Sequence, residues 1–378
     1  MSDARSPGSA RWTRRAMLRA GLALPTAALL GGCTTQAPSD ESASTPSTPT
    51  GGAAAMPFAS PRKPEGEIFI QIVTNGISPF WDPMAEGMRR MAAELGCKAD
   101  WYGPQPAEVS SQKKFIEQAL AKGVDGIALS CIEPKASVPI IEMVLDKGVP
   151  IITFDADSPE SRRLCYIGTN NIEAGKAAGE AAVRLLPEGG KFVAFVGNID
   201  AQNARERKEG FEAVARPHGI EIVQVYDDNK DANRAQQNVE QALVRYGNEI
   251  RGLLGLFSYN PPRIARVLEQ KGLVGKYVVV AFDAEVATQE ALQKGVVHAT
   301  VVQKPFEFGR LSVQLLYLIN RKGWPVARQE MNIPASGIYD TGVDVVVPDN
   351  SPLLTSLPRC IGIAAFRKRL QEIGVEQS

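Results

Sequence analysis

Histidine is scarce in this sequence: His218 and His298 are the two in 378 residues, and neither lies near a cysteine. Cys97, Cys131, Cys165 and Cys360 are widely spaced and form no CxxC pair, so a zinc site lacks its ligand pattern. Cys131 and Cys165 border apolar runs and read as small buried hydrophobes. An excess of either charge is also missing. Lys plus Arg equals Asp plus Glu at 42 each, which leaves no basic field to attract nucleic acid. No apolar run approaches the ~18–20 residues of a membrane-spanning helix. Neither GxGxxG nor GxxxxGK followed by Ser or Thr occurs, so an enzyme built around a nucleotide has no phosphate-binding loop. No cofactor and no metal are expected. Asp155 and Asp157 imitate a catalytic carboxylate pair, but Ala156 between them supplies no acid–base context.

What is present begins with an export grammar. "RWTRRAMLRA" is an Arg-rich stretch, "GLALPTAALL" a short apolar one, and "LLGGC" closes it at Cys33. Residues 1–33 read as a lipoprotein signal with Cys33 as the lipidated residue. "TRRAML" (Thr13 to Leu18) resembles a twin-arginine export motif. Residues 34–64 are rich in Ser, Thr, Pro, Ala and Gly, lack apolar periodicity, and read as a flexible tether. The chain is therefore expected outside the cytoplasm, held to a membrane by its anchor.

From residue 66 strands and helices alternate. Ile68–Val73 reads as a buried strand. The helix after it repeats Met84, Met88, Met91, Ala92 and Leu95 at helical spacing and stops at Gly96. "VDGIALS", "VPIITF", "KFVAFVG", "GLLGLFS" and "YVVVAFD" are apolar throughout, as strands of a parallel sheet covered on both faces are. The pattern restarts after Gly168. The fold class is therefore α/β, with two doubly wound parallel-sheet lobes. Lobe 1 is expected from 65–168 plus 304–341, and lobe 2 from 169–303 plus 342–378.

In such sheets ligands sit beyond the carboxyl ends of the strands. The residues found there are Phe80 and Trp81, Asp155, Thr169, Asn260, Phe282 and Asp283, and Gln303, with Arg205 opening a helix. Each sugar hydroxyl donates and accepts, and Asp, Asn, Gln and Arg answer both roles. The C–H face of a sugar suits an aromatic ring. The "SPFWDP" aromatics are thus expected to wall a cleft from one lobe, with Phe282 facing them from the other. Taken singly, each residue has a plainer role: Asp and Asn as turn residues or caps, one aromatic as core, Arg205 as a solvated charge.

The segments "SPFWDPMAEG", "AKGVDGIALS", "GVPIITFDAD", "YIGTNNIEAGKAAGE", "NARERKEGF", "VVVAFDAE" and "HATVVQKPFEFG" follow one another in a familiar order. Residues 66 to about 345 resemble type I periplasmic sugar-binding proteins of ABC importers. "YNPPRIA" and "RLCYIGTNN" look most like the glucose-binding branch. The resemblance implies a three-strand hinge, no catalysis, a monosaccharide ligand and an ABC permease as partner, with the protein acting as a monomer. It implies ligand contacts at Phe80, Trp81, Asp155, Arg205, Asn260, Phe282, Asp283 and Gln303, with Thr169 at the first crossover. Ser78, Ala156 and Lys230 depart from the pattern and leave the sugar open. A sensor lipoprotein signalling to a receptor, or a binder of a polyol or nucleoside, would use the same cleft. A repressor's ligand lobe would need a helix-turn-helix where this chain has an export signal.

Overall fold

In the computed structural model, residues 58–229 and 231–375 are described. The signal segment, Cys33, most of the tether and Lys230 lie outside the described residues. Thirteen strands are found among those described: β1 (Phe69–Val73), β2 (Lys98–Tyr102), β3 (Gly126–Leu129), β4 (Ile151–Phe154), β5 (Tyr166–Gly168), β6 (Gly190–Val196), β7 (Ile220–Asp227), β8 (Ile250–Gly255), β9 (Val278–Phe282), β10 (Ala299–Val302), β11 (Ile338–Asp340), β12 (Asp344–Val347) and β13 (Cys360–Gly362). They form two sheets, ordered β11-β5-β4-β3-β1-β2 in lobe 1 and β13-β12-β10-β9-β8-β6-β7 in lobe 2. All neighbours run parallel except β10 and β12.

The sequence explains this layering. β3 and β4 are buried at every residue, because helices cover both faces of a parallel sheet. Each sheet therefore carries two apolar clusters, one per face. Ile70, Ile72 and Phe154 belong to one lobe 1 cluster and Ile127, Leu129 and Ile151 to the other. Phe192 and Leu254 divide from Val193 and Leu253 in lobe 2 in the same way. Alternate residues of each strand point to opposite faces, as the pleat requires.

Both lobes fix a helix pair by close backbone approach. A Cβ at Gly87 of the helix Asp82–Leu95 would lie 2.0 Å from the Phe306 carbonyl oxygen in the helix Pro305–Lys322. A Cβ at Gly210 of the helix Gln202–Ala215 would lie 2.1 Å from the Ile172 carbonyl oxygen in the helix Asn171–Leu185. Only glycine permits such contact.

The chain crosses between lobes three times: after β5, after β10, and between β11 and β12. The first and third crossings are tied together, for the Gly168 carbonyl accepts hydrogen bonds from the Thr341 amide at 2.8 Å and its hydroxyl at 3.1 Å.

The expected tether needs correction at its end. The Phe58 carbonyl accepts from the Trp324 amide at 2.7 Å, and the Arg62 and Lys63 amides both reach the Asn320 carbonyl at 3.0 Å. Lys63 also pairs with Asp125 at 2.9 Å. Phe58 and Arg62 have partners that a free linker would lack, so 58–64 belong to lobe 1. At the other end, the helix Ile363–Glu372 buries Ile363 and Phe366 against lobe 2. Arg90 of lobe 1 reaches its Glu372 carbonyl at 3.4 Å.

Candidate functional site

Asp155 follows β4 and adopts φ 57°, a left-handed conformation that a non-glycine residue takes only when its surroundings hold it. Those surroundings are visible. The Ser130 hydroxyl donates to Asp155 Oδ2 at 3.0 Å, the Asn75 amide lies at 3.4 Å from the same oxygen, and the Tyr166 hydroxyl donates to the Asp155 carbonyl at 2.8 Å. Burial pushes the carboxyl up to about 6. The Ser130 hydrogen bond and the Arg207 charge act against that rise, and Asp283 adds to it. Arg207 and Asp283 belong to lobe 2, so charges of the other lobe act on this carboxyl.

Asp283 follows β9 in lobe 2 and repeats the device, with φ 64°. Gln303 Nε2 donates to its Oδ1 at 3.0 Å, and the Thr300 hydroxyl to its carbonyl at 2.6 Å. Burial raises its carboxyl too, opposed by Arg207 and by bonds from Gln303.

Against that rise, both carboxyls are lowered by the charge of one guanidinium that the sequence reading missed, that of Arg207. Arg205, expected at the cleft, is exposed and turns its guanidinium back to the Asp200 carbonyl. Arg207, two residues on, is only 2% exposed. Its Nε donates to Asn171 Oδ1 at 3.0 Å and its Nη1 to the Leu256 carbonyl at 2.7 Å. Nη2 donates to nothing among the described residues. The guanidinium lies 4.6 Å from the Phe282 ring centre and 5.9 Å from that of Phe257. A cation over aromatic faces in a desolvated setting contributes about 2 kcal/mol. Helix phase explains the exchange. Positions two apart point about 200° apart, and the buried face runs Ala204, Arg207, Gly210, Phe211. An arginine on the apolar face of a helix, in register with its alanines and glycine, was the signal available.

The aromatics separate by role. Phe80 is half-buried and lines a cavity of about 770 Å³, to which Phe306 of lobe 1, Val286 and Phe366 of lobe 2, Asp283 and Gln303 also contribute. Trp81 is 3% exposed and meets Phe154 edge-on at 5.8 Å in the lobe 1 core. It does not line that cavity; its ring packs into the lobe 1 apolar cluster instead. Phe282 is fully buried beneath Arg207 and lines no open wall. The cavity reaches the carboxylate–guanidinium cluster only at Asp283 and Gln303. Asp155 and Arg207 do not line it.

Asn260 is 1% exposed and committed on both sides: Oδ1 accepts the Phe257 amide at 3.0 Å, and Nδ2 donates to Asp228 at 2.8 Å. Thr169 lies at the first crossover with its hydroxyl buried and without a partner among the described residues. Asp157 is occupied by Arg163, Thr153 and the Ser158 amide, which removes it from any acid–base pair with Asp155. Ser130 and Asn75 were also missed, although both follow strands, where the same search would have found them. Cys131 and Cys165 are free, buried thiols pushed up to about 12 by desolvation.

Two parallel lobes joined by three crossings, with charged groups converging between them, define a solute-binding architecture. The chain belongs to the periplasmic binding protein family: residues 69–322 match the model of the periplasmic binding protein domain. It is 25% identical over 271 residues to the xylose/arabinose-binding protein XylF of Sulfolobus acidocaldarius, covering 66% of this chain and 65% of that relative, just under two thirds of its length. It is 22% identical over 296 residues to the D-ribose/D-allose-binding protein of Pseudomonas aeruginosa, covering 76% and 90%. Among solved structures it resembles an ABC transporter solute-binding protein from Burkholderia graminis in complex with D-arabinose, with 30% identity, TM-score 0.69, and coverage of 76% and 97%. The glucose-galactose binding protein GanP of Geobacillus stearothermophilus gives 27%, 0.68, 76% and 100%.

Proposed function

We propose that this protein captures a monosaccharide between its lobes and delivers it to an ABC permease, tethered to the extracytoplasmic face of a membrane through Cys33. What supports the reading is a pair of buried strand-end aspartates held in left-handed backbone, Asp155 in lobe 1 and Asp283 in lobe 2, both under the charge of the buried Arg207. Two carboxylates accept hydrogen bonds from hydroxyls, and the guanidinium donates to hydroxyl or ring oxygens. Each charge-assisted bond contributes roughly 1.5–3 kcal/mol. The relatives named above bind pentoses and hexoses, and this cluster suits the same class. Phe80 offers a ring to the C–H face of the sugar. A sugar bound to both lobes stabilises the closed arrangement by its differential affinity for it, and a permease can read that arrangement.

A thermal-shift screen over aldopentoses, aldohexoses, polyols and nucleosides tests the ligand class. A sugar at 100 times its Kd is expected to add about 2.7 kcal/mol. A shift by a nucleoside alone, with every sugar silent, contradicts the reading. For the anchor, Cys33→Ala is expected to release the protein from membranes or to leave an unprocessed precursor, and undisturbed membrane retention refutes it.

A further inference from the structure

We propose that Tyr166 is a positioning residue that couples Asp155 to the lobe hinge by sharing one hydroxyl proton between the two. Tyr166 lies on β5 and is 6% exposed. Its hydroxyl is 2.8 Å from the Asp155 carbonyl oxygen and 3.2 Å from that of Thr169. A phenol has a single proton to donate, so two acceptors divide it. One belongs to the residue held in the left-handed conformation at the cleft, and the other to the first crossover. Burial holds the phenol far from ionisation, so it remains a donor.

The arrangement is built rather than incidental. A Cβ at Gly168 would lie 2.2 Å from the Tyr166 hydroxyl oxygen and 2.3 Å from Cζ, so the ring lies across a position that only glycine leaves open. The Gly168 carbonyl in turn holds Thr341 of the third crossover. A continuous path therefore runs from the Asp155 carboxylate through its backbone to the Tyr166 hydroxyl, then to Thr169 and the hinge. A rotation of the lobes about the first crossover would carry the Thr169 carbonyl with it. The share of the proton left to Asp155 then depends on the state of the hinge, and the direction of the carboxylate depends on that share.

The inference rests on Asp155 contacting the sugar, and a double-mutant cycle separates the two claims. Titration calorimetry with the sugar from the screen is run on the full chain, on Tyr166→Phe, on Asp155→Ala and on the pair. Tyr166→Phe is expected to weaken binding about fivefold in the parent and to cause no further loss beside Asp155→Ala. A merely structural tyrosine would weaken both backgrounds equally, and that result overturns the proposal. Asp155→Ala without effect removes the binding role of Asp155 and this proposal with it. Asp155→Ala weakening affinity while Tyr166→Phe is silent overturns this proposal alone. Should Tyr166→Phe fail to fold, Gly168→Ala, which displaces the ring and keeps the hydroxyl, is read in the same cycle.

Discussion

At the scale of single residues, the site is made of groups whose environments oppose their ordinary states. Asp155 is raised to about 6 by burial, with Arg207 lowering it and Asp283 raising it further. A carboxylate accepts two sugar hydroxyls only when ionised, so the binding form predominates above pH 6 and is lost as pH falls through it. One unit below, about one such group in ten is ionised, and affinity is expected to be about tenfold weaker. Burial raises Asp283 in the same direction. Calorimetry between pH 8 and pH 5 checks this: the parent should lose affinity in that range, and Asp155→Asn should lose the step near 6. A flat profile in the parent means that ionisation of Asp155 does not matter to binding. The carboxylates were legible in the sequence because they follow strands. Their left-handed backbones were not, since Asp155 and Asp283 owe them to Tyr166, Thr300 and Gln303, which lie elsewhere in the chain.

At the scale of elements, a glycine-mediated helix pair in each lobe fixes how closely two helices approach. Arg207 lies one turn before Gly210, on the face that meets the helix Asn171–Leu185. Gly210→Ala forces a methyl to 2.1 Å from a carbonyl oxygen and must push the helices apart. Overpacking of this kind costs about 1–3 kcal/mol, and the shift carries Arg207 away from Asn171. Chemical denaturation together with sugar titration should show losses of both stability and affinity. Gly272→Ala, where a Cβ would meet nothing within 4 Å but the backbone has φ 64°, should cost stability alone. Full affinity in Gly210→Ala would mean that the helix pairing does not position Arg207. Strand and helix alternation was readable because fully apolar strands and 3.6-residue helices leave different patterns. The choice between Arg205 and Arg207 needed the helix phase, which Ala204, Gly210 and Phe211 carry. The packing of Phe58 to Pro64 was hidden by a composition that resembles a linker.

At the scale of the whole molecule, two lobes are joined through three crossings, and ionisable groups of both lobes act on Asp155. In the function proposed above, closure about that hinge would bury a sugar whose hydroxyls complete the hydrogen bonding of Asp155, Arg207 and Asp283. Removing one partner from such a dry site leaves charged groups unpaired, at about 1–3 kcal/mol or more. The most direct test compares two arginines two residues apart. Titration calorimetry with the best sugar of the screen is performed on Arg207→Ala and Arg205→Ala, each shown to be folded by circular dichroism. The account predicts a loss of about tenfold to hundredfold for Arg207→Ala and parental affinity for Arg205→Ala. Parental affinity in folded Arg207→Ala, or a larger loss in Arg205→Ala, would contradict it.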